Sequence, residues 1–381
     1  MAPAKLVRRV KAVAKRRIPD DIVNNDALNQ AIAILPKNYN FEIHKTIWRI
    51  RTEGSSVVAL QLPEGLLMYA CVIADILAKF AAVQVMVLGD VTYGACCIDD
   101  FTAQKLGADL LVHYGHSCLV PVSVTRIKVV YVFVEISFNE RHLIDCVKAN
   151  FPPETRMVLM GTIQFTSVIH KAAAELTTHY QHCQIPQAKP LSAGETLGCT
   201  APVFRDVDTL VFVADGRFHL EAAMIRNPQV KAYRYDPYGK CLSFEQYEVE
   251  KMKSARLTAI TQARAAATFG LVLGTLGRQG SPPLFRRLRK LLRARGKRVV
   301  PFLMAEISPA KLALVGHVDA WIQIACPRLS IDWSGGFGKP LLTPYEVEVA
   351  LGETAWREVY PMDFYSSEGG NWAAGSEQNR R

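Results

Sequence analysis

Three regions of the sequence place a thiol just after a predicted strand. Cys96 and Cys97 follow the apolar run "VQVMVLGD". Cys199 lies in the glycine-bounded turn "GETLGCT", and Cys326 follows the apolar run "AWIQIA". Open parallel sheets bind ligands beyond the carboxyl ends of their strands. One such cysteine alone is typical of a buried core, but three similar placements favour a shared function.

Three thiolates that converge would suit a metal centre. Structural zinc sites use a fourth ligand and close spacings such as C-x₂-C, whereas here 103 residues separate Cys96 from Cys199 and 127 separate Cys199 from Cys326. An iron–sulfur cluster held by three cysteines keeps one iron open, and a substrate can bind to an open metal position. The residues alone leave open whether Cys96 or Cys97 is the ligand.

The other cysteines carry weaker signals. Cys118 also follows a predicted strand, and the remaining four lie in predicted helices, at their ends or before a helix: Cys71, Cys146, Cys183 and Cys241. Nine scattered cysteines indicate free thiols in a reducing compartment. The first residues contain no apolar leader, and the chain has no apolar run of membrane-spanning length, so we expect a cytoplasmic protein without a membrane partner.

An internal repeat supplies the elements that would position these thiols. The segments "GADLLVHYGHSCLV", "DVDTLVFVADGRFHL" and "HVDAWIQIACPRLSI" each carry an aspartate, then a strand, then a turn; the aspartates are Asp109, Asp208 and Asp319. A strand, a turn and a helix precede each copy. Alternating strands and helices predict parallel sheets with right-handed crossovers.

The repeat predicts an α/β protein of three similar small domains with parallel sheets around a pseudo-three-fold axis. We assign residues 46–150 to the first domain, 151–265 to the second with a linker helix within 240–268, and 266–365 to the third. Residues 1–45 form a basic arm and a helical lead-in, and the small polar residues of 366–381 predict a disordered tail.

The net charge of +10 raises the question of nucleic acid. Much of it comes from "KLVRRVKAVAKRR" near the N-terminus and from "LFRRLRKLLRARGKR" at residues 284–298. In the second segment four leucines share one helical face and the basic residues lie outside it. We interpret both segments as solvated basic surfaces rather than an RNA site.

Longer motifs surround the candidate residues: "YGACCIDD", "GETLGCT", "DGRFHLE", "YRYDPY", "LGTLGRQGS", "ACPRLSIDW" and "KPLLTPYE". With the lead-in "LPKNYNFEIHKTIWRI" they resemble the eukaryotic diphthamide synthase subunit 1 family, from about residue 20 to about residue 366. Members are non-standard radical S-adenosylmethionine enzymes without a C-x₃-C-x₂-C loop, which this sequence also lacks.

The resemblance implies a 4Fe–4S cluster at the centre of the three domains, held by Cys96, Cys199 and Cys326, with Cys97 as a packed neighbour. It implies transfer of the 3-amino-3-carboxypropyl group of S-adenosylmethionine to imidazole C2 of a histidine in translation elongation factor 2. The protein would orient the sulfonium while the cofactor supplies the chemistry. The implied partners are a related subunit 2 in a heterodimer and a small metal-binding electron donor.

Several other residues are candidates for the substrate pocket. Arg328, two residues after Cys326, could pair with a carboxylate or form a structural salt bridge. The turn "LGTLGRQG" could offer backbone amides to a ligand. The full set of pocket candidates is Arg328, Gln164, Gly274, Thr275, Gly277, Asp215 and His219.

Two alternatives remain from the sequence. The first is another three-cysteine iron–sulfur enzyme, similar to quinolinate synthase, which would not depend on S-adenosylmethionine. The second is a basic RNA-binding or scaffold protein without catalytic activity, which would contain no iron and would bind nucleic acid in a strongly salt-dependent way.

Overall fold

A computed structural model describes residues 17–90, 92–376 and 379. Most of the predicted basic arm lies outside these residues. A helical lead-in comes first, with Asn25 capping the second helix through its side chain. Its elements are α1 (Asp20–Val23), α2 (Asp26–Ile32), β1 (Tyr39–Asn40) and α3 (Ile43–Glu53).

The first sheet is parallel and has the strand order β3-β2-β4-β5. Its central strand reads "LLVHY" and is buried along its whole length, as expected for a parallel strand covered on both faces. The elements of this region are β2 (Val57–Gln61), α4 (Ala70–Ala81), β3 (Gln84–Val87), α5 (Asp100–Lys105), β4 (Leu110–Tyr114), β5 (Lys128–Val132), β6 (Glu135–Ile136), which pairs with β1, and α6 (Glu140–Asn150).

The second sheet has five strands in the order β11-β10-β9-β7-β8. All its pairs are parallel except β10 with β11, which form an antiparallel edge. Its elements are β7 (Met157–Gly161), α7 (Thr166–Leu176), β8 (Cys183–Gln184), β9 (Thr209–Val213), α8 (Phe218–Arg226), β10 (Lys231–Asp236), β11 (Cys241–Glu245) and α9 (Val249–Arg264).

The third sheet is parallel, with the order β13-β12-β14-β15. The predicted amphipathic helix forms here and buries Leu284, Leu288 and Leu292. The elements are β12 (Thr268–Gly274), α10 (Pro282–Ala294), β13 (Arg298–Met304), α11 (Pro309–Ala313), β14 (Ala320–Ile324), α12 (Arg328–Trp333), β15 (Leu341–Leu342) and α13 (Pro344–Ala350).

These sheets confirm the predicted α/β fold, while the pseudo-three-fold arrangement stays a prediction. The repeated aspartates have the same structural role in the first and third sheets, whereas Asp208 in the second sheet pairs with the Arg156 guanidinium at 2.7 Å and accepts from the Arg156 amide at 3.4 Å. Asp109 accepts hydrogen bonds from the backbone N–H groups of Ser56 and Val57 at 2.7 and 3.3 Å. Asp319 does the same for Ala267 and Thr268 at 3.0 and 2.7 Å. The repeat therefore fixes the start of a central strand and does not mark chemistry.

A buried ion pair joins the second and third regions of the chain. Arg256 on α9 and Glu346 on α13 are both fully buried, and their side chains meet at 2.6 Å. Arg256 also donates to the backbone oxygens of Ser330 and Leu341. Removal of one partner of such a pair leaves an uncompensated buried charge, so this contact ties the linker helix to the third sheet. In the described part of the chain no helix has the length and apolar character needed to cross a bilayer.

Three sequence predictions need correction. The tail, residues 366–381, was predicted to be disordered, but in its described part, 366–376 and 379, Trp372 is buried and its indole Nε1 donates to Asp363 at 2.7 Å. This segment packs closely against the preceding chain: a Cβ on Gly375 would overlap the backbone of residues 365 and 366, so only glycine fits there. The linker helix begins at Val249, since residues 241–245 form an edge strand. Cys183 lies in a short strand rather than in a helix.

Candidate metal centre

Cys96 is held on a tight turn between β3 and α5. Residues Ala95–Cys97 form one turn of 3₁₀ helix, in which the Cys97 amide donates to the Gly94 carbonyl at 2.9 Å. Gln61, at the end of β2, donates to the Cys97 carbonyl at 2.9 Å and accepts from the Asp99 amide at 3.2 Å. The side chain of Gln61 therefore fixes both ends of the turn that carries the thiol.

Cys326 is held in a similar way between β14 and α12. The buried Gln323 donates to the Cys326 carbonyl at 3.0 Å and accepts from the Ala325 amide at 2.9 Å. Ser330 binds the same side-chain amide at 3.0 Å. A buried glutamine on a strand thus positions the cysteine loop in the first and in the third sheet.

The glycine-rich turn after β12 packs against the Cys96 turn. Gly277 has φ +53°, and a Cβ on it would overlap the Cys97 carbonyl. The Arg278 amide donates to the Cys96 carbonyl at 3.0 Å, and the Arg278 guanidinium pairs with the fully buried Asp100 at 2.6 Å. This contact joins the third sheet region to the first.

The turn has a packing role in the structure, and its predicted ligand-binding role stays a prediction. The Thr275 amide already donates to the Met304 carbonyl at 2.9 Å. Gly274 lies close to Ala325, the neighbour of Cys326, because a Cβ on this glycine would overlap that alanine. Gly274, Thr275 and Gly277 support the cysteine loops from behind.

Cys199 lies in a turn that the chain beyond α13 covers. The amide of Phe364 donates to the Cys199 carbonyl at 3.3 Å, and the amide of Tyr365 donates to the Thr200 hydroxyl at 3.0 Å. The ring of Phe218 packs directly on Gly198, where a Cβ would overlap it. These contacts bury Cys199, which is 9% exposed.

Arg328 connects the loops of Cys326 and Cys199 through a buried network. Its guanidinium donates to the Gly198 carbonyl at 3.3 Å and to the Phe218 carbonyl at 2.8 Å. It also pairs with the carboxylates of Asp332, at 2.7 Å, and Glu221. Of its two predicted roles, the structure favours the salt bridge, because these contacts occupy the guanidinium.

The three candidate thiols influence one another, although they come from separate sheets. A hydrogen bond with Cys97, then burial, then the charges of Cys97, Cys199 and Cys326 raise the pKa of Cys96 well above its usual range. Burial, followed by the charge of Cys326, raises the pKa of Cys199 to about 12. Burial also raises the pKa of Cys326. Neighbouring buried thiolates require a positive centre to be stable.

This donor set fits a cluster better than a single ion. Within residues 17–90, 92–376 and 379, no group of three or more His, Cys, Asp or Glu side chains is arranged around one metal ion. A cubane cluster binds each thiolate through a different iron, so its ligands stand further apart than those of one ion. The convergence of the buried Cys199 and the half-buried Cys96 and Cys326 therefore agrees with an iron–sulfur cluster and not with a mononuclear zinc site.

A cavity of about 280 Å³ lies beside these loops, between the first and second sheets. It brings together three predicted pocket residues, namely Gln164, Asp215 and His219. Leu197 lines it and belongs with Cys96 and Tyr365 to one small apolar cluster. A larger groove of about 670 Å³ follows α9, but in the described chain no cysteine lines it.

Sequence reasoning missed three residues of this region. Tyr365 donates its hydroxyl to the Gln279 carbonyl at 2.9 Å, and the Gln279 side chain reaches the Cys96 sulfur at 3.9 Å. Glu195 lines the cavity and is 1% exposed. The sequence could have indicated Glu195, because it lies four residues before Cys199. Tyr365 and Gln279 are revealed only by their tertiary contacts.

Comparison with known proteins gives a consistent result. The family model described as "Putative diphthamide synthesis protein" matches residues 62–361. The 2-(3-amino-3-carboxypropyl)histidine synthase subunit 1 of Homo sapiens is 55% identical over 369 residues, which cover 96% of this chain and 84% of the human one. The protein of the same name from Dictyostelium discoideum is 52% identical over 377 residues, with 97% and 80% covered.

Solved structures agree with these relatives. Dph2 from Pyrococcus horikoshii with a 4Fe-4S cluster matches at a TM-score of 0.71 and 26% identity, covering 85% of this chain and 93% of that chain. A second structure of the same protein matches at a TM-score of 0.70. The resemblance seen in the sequence is thereby confirmed, and the chain belongs to the family of 2-(3-amino-3-carboxypropyl)histidine synthase subunit 1.

Proposed function

We propose that this chain is a transferase of the first step of diphthamide biosynthesis. It transfers the 3-amino-3-carboxypropyl group of S-adenosylmethionine to imidazole C2 of a histidine in translation elongation factor 2. The observation that carries the proposal is the convergence of Cys96, Cys199 and Cys326 from three sheets. The names of the similar subunit 1 proteins and the 4Fe-4S cluster of the Pyrococcus horikoshii relative support it.

In this proposal the three cysteines hold a 4Fe–4S cluster and keep one iron open for substrate. A reduced cluster held by these cysteines would supply one electron for cleavage of the bond between the sulfonium sulfur and the amino-carboxypropyl carbon. The chain itself positions the reactants. Gln61 and Gln323 fix the backbone of two cysteine loops, and Arg328 links the third loop to the second.

The cavity between the first two sheets is the proposed S-adenosylmethionine site. Two carboxylates line it, and among the described lining residues there is no lysine or arginine. A site of this charge favours a sulfonium over an anion. Tyr39, Phe133 and Tyr238 add aromatic surface on which an adenine ring can pack.

The proposal also includes protein partners. We propose a heterodimer with a related subunit 2, a small metal-binding protein as electron donor, elongation factor 2 as protein substrate, and action in the cytoplasm. Neither nucleic acid nor a membrane is part of this proposal. The exposed basic residues of α10, namely Arg286, Lys290 and Arg293, remain a solvated surface in it, whereas Arg287 pairs with Glu348.

Mass analysis of elongation factor 2 tests the proposed function. The anaerobically purified chain, with subunit 2, reductant and S-adenosylmethionine, should add one 3-amino-3-carboxypropyl group to one histidine and release methylthioadenosine. Chain with full iron content that leaves the factor unmodified would contradict the proposed reaction and favour a different three-cysteine enzyme. Iron-free chain that binds RNA in a salt-dependent way would favour the binding-protein alternative.

A further inference from the structure

Buried hydrogen-bond acceptors without partners line the cavity between the first two sheets. In the described part of the chain Glu195 Oε1, Thr162 Oγ1 and Ser117 Oγ are buried and make no hydrogen bond. The three residues are 1%, 7% and 4% exposed, and all line the cavity. A native structure rarely leaves such groups unpaired, because each costs about 1–3 kcal/mol when desolvated. The cavity is therefore prepared for a polar ligand.

The Glu195 carboxylate is fixed so that only one oxygen is free for a ligand. Its Oε2 accepts a hydrogen bond from the Ser192 amide at 3.1 Å. The hydroxyl of Ser117 lies near enough to lower the pKa of Glu195, but its geometry falls outside a hydrogen bond. Ser117 thus lies beside the Glu195 carboxylate, and both residues line the cavity.

The charges around the cavity select the kind of group that can bind. Glu195 and Asp215 are acidic, and the lining residues that the structure describes include no basic side chain other than histidine. Burial lowers the pKa values of His116 and His219 to about 4, so both rings are neutral at physiological pH. A cationic donor with several N–H groups is the complement of this surface.

We propose that Glu195, with Thr162 and Ser117, forms a subsite that binds the primary ammonium group of the amino-carboxypropyl moiety of the sulfonium substrate. This inference rests on the proposed function and names the part of the ligand that the subsite recognises. An ammonium group offers three donors, which match one carboxylate oxygen and two hydroxyl oxygens. The carboxylate of the same moiety is not the group bound here, since the described lining residues include no lysine or arginine.

Two stable adenosine ligands that differ in this moiety test the subsite. S-Adenosylhomocysteine carries the ammonium group, whereas methylthioadenosine lacks the whole amino-carboxypropyl arm. Dissociation constants of both are measured by calorimetry on the anaerobically purified full chain and on Glu195→Gln. Glu140→Gln is the matched control, because Glu140 lies in the first turn of α6 and does not line the cavity.

Glu195→Gln should raise the dissociation constant of S-adenosylhomocysteine at least about tenfold, the size of a lost charge-assisted hydrogen bond. It should leave the dissociation constant of methylthioadenosine unchanged. Thr162→Val should also weaken the binding of S-adenosylhomocysteine, but by a smaller factor than Glu195→Gln. Equal weakening of both ligands, or no change of either, would overturn the ammonium subsite while leaving the proposed function intact. A wild-type chain that binds neither ligand would overturn both.

Discussion

At the scale of single residues, Cys96 and Cys97 are adjacent but lie in different surroundings. Their sulfur atoms are 4.0 Å apart. The Gln279 side chain reaches the Cys96 sulfur, and the charges of Cys199 and Cys326 raise the pKa of Cys96. The charge of Cys97 also raises the pKa of Cys326. Cys97 is 2% exposed and packs inside the first sheet region. Cys96 therefore stays the proposed ligand, with Cys97 as its packed neighbour.

A pair of alanine substitutions tests this assignment. Cys96→Ala should lose most of the bound iron and the transfer activity, because one of three ligands is missing. Cys97→Ala should keep its iron and its visible absorption, since it removes only a buried thiol. Iron and sulfide analysis after anaerobic purification gives the answer. Loss of iron from Cys97→Ala alone would reverse the assignment.

The buried carboxylate of Glu195 leads to a pH dependence of binding. Burial raises the pKa of Glu195 above the ordinary value of 4.5. The carboxylate therefore takes up its proton at a higher pH than an exposed glutamate, and the ammonium group loses its partner as the pH falls through that raised pKa. Affinity for S-adenosylhomocysteine should decline on mild acidification, in a range where His116 and His219 are still neutral.

Calorimetry at several pH values between about 5 and 8 measures the affinity for S-adenosylhomocysteine and checks this prediction. Glu195→Gln should show a much flatter profile, because an amide does not titrate there. A wild-type profile that is equally flat would show that Glu195 does not hold a cationic group.

At the scale of elements, the turn between β12 and α10 acts as a support for the Cys96 turn. Gly277 combines a left-handed backbone with direct contact to the Cys97 carbonyl. Gly296 also has a left-handed backbone, with φ +71°, but a Cβ there would meet no atom within 4 Å. A substitution at Gly296 therefore tests the left-handed backbone alone, whereas the same substitution at Gly277 adds a steric overlap.

Gly277→Ala should lower both the iron content and the thermal stability, because the new methyl group displaces the Cys96 turn. Gly296→Ala should cost only the backbone term of about 1–2 kcal/mol and keep its iron. Thermal unfolding and iron analysis of the two variants provide the measurement. Equal iron content in both would mean that the turn does not position Cys96.

The sequence predicted the elements better than their contacts. The apolar pattern of Leu284, Leu288 and Leu292 was sufficient for α10, and the repeated motifs were sufficient for three sheets. Local pattern could not show that Asp109 caps a strand or that Gly277 packs against another domain, because both depend on partners distant in sequence. Arg328 had two possible roles until its partners were known.

At the scale of the whole molecule, the last described segment closes over the second and third regions. Trp372 is 3% exposed, packs against the Tyr345 ring at 4.9 Å and lies under the Arg357 guanidinium. Arg287 on α10 donates to the Asn371 carbonyl at 2.8 Å. Composition predicted disorder here because glycine, serine and alanine dominate, but one tryptophan and the closely packed small residues anchor the segment.

Trp372→Ala should destabilise the fold by about 3–5 kcal/mol, the usual cost of truncating a fully buried aromatic side chain. Trp333→Ala is the matched control, since Trp333 is 68% exposed and its loss should cost little. Chemical denaturation of both variants measures the difference. Similar stability of the two would show that the segment does not pack in solution.

Anomalous diffraction at the iron edge, from a crystal grown without oxygen, locates the iron relative to the three cysteines. We expect one compact iron peak bonded to the sulfur atoms of Cys96, Cys199 and Cys326, with one iron that has no protein ligand. Iron at any other position, or three separate cysteines without iron between them in protein of full activity, would contradict it.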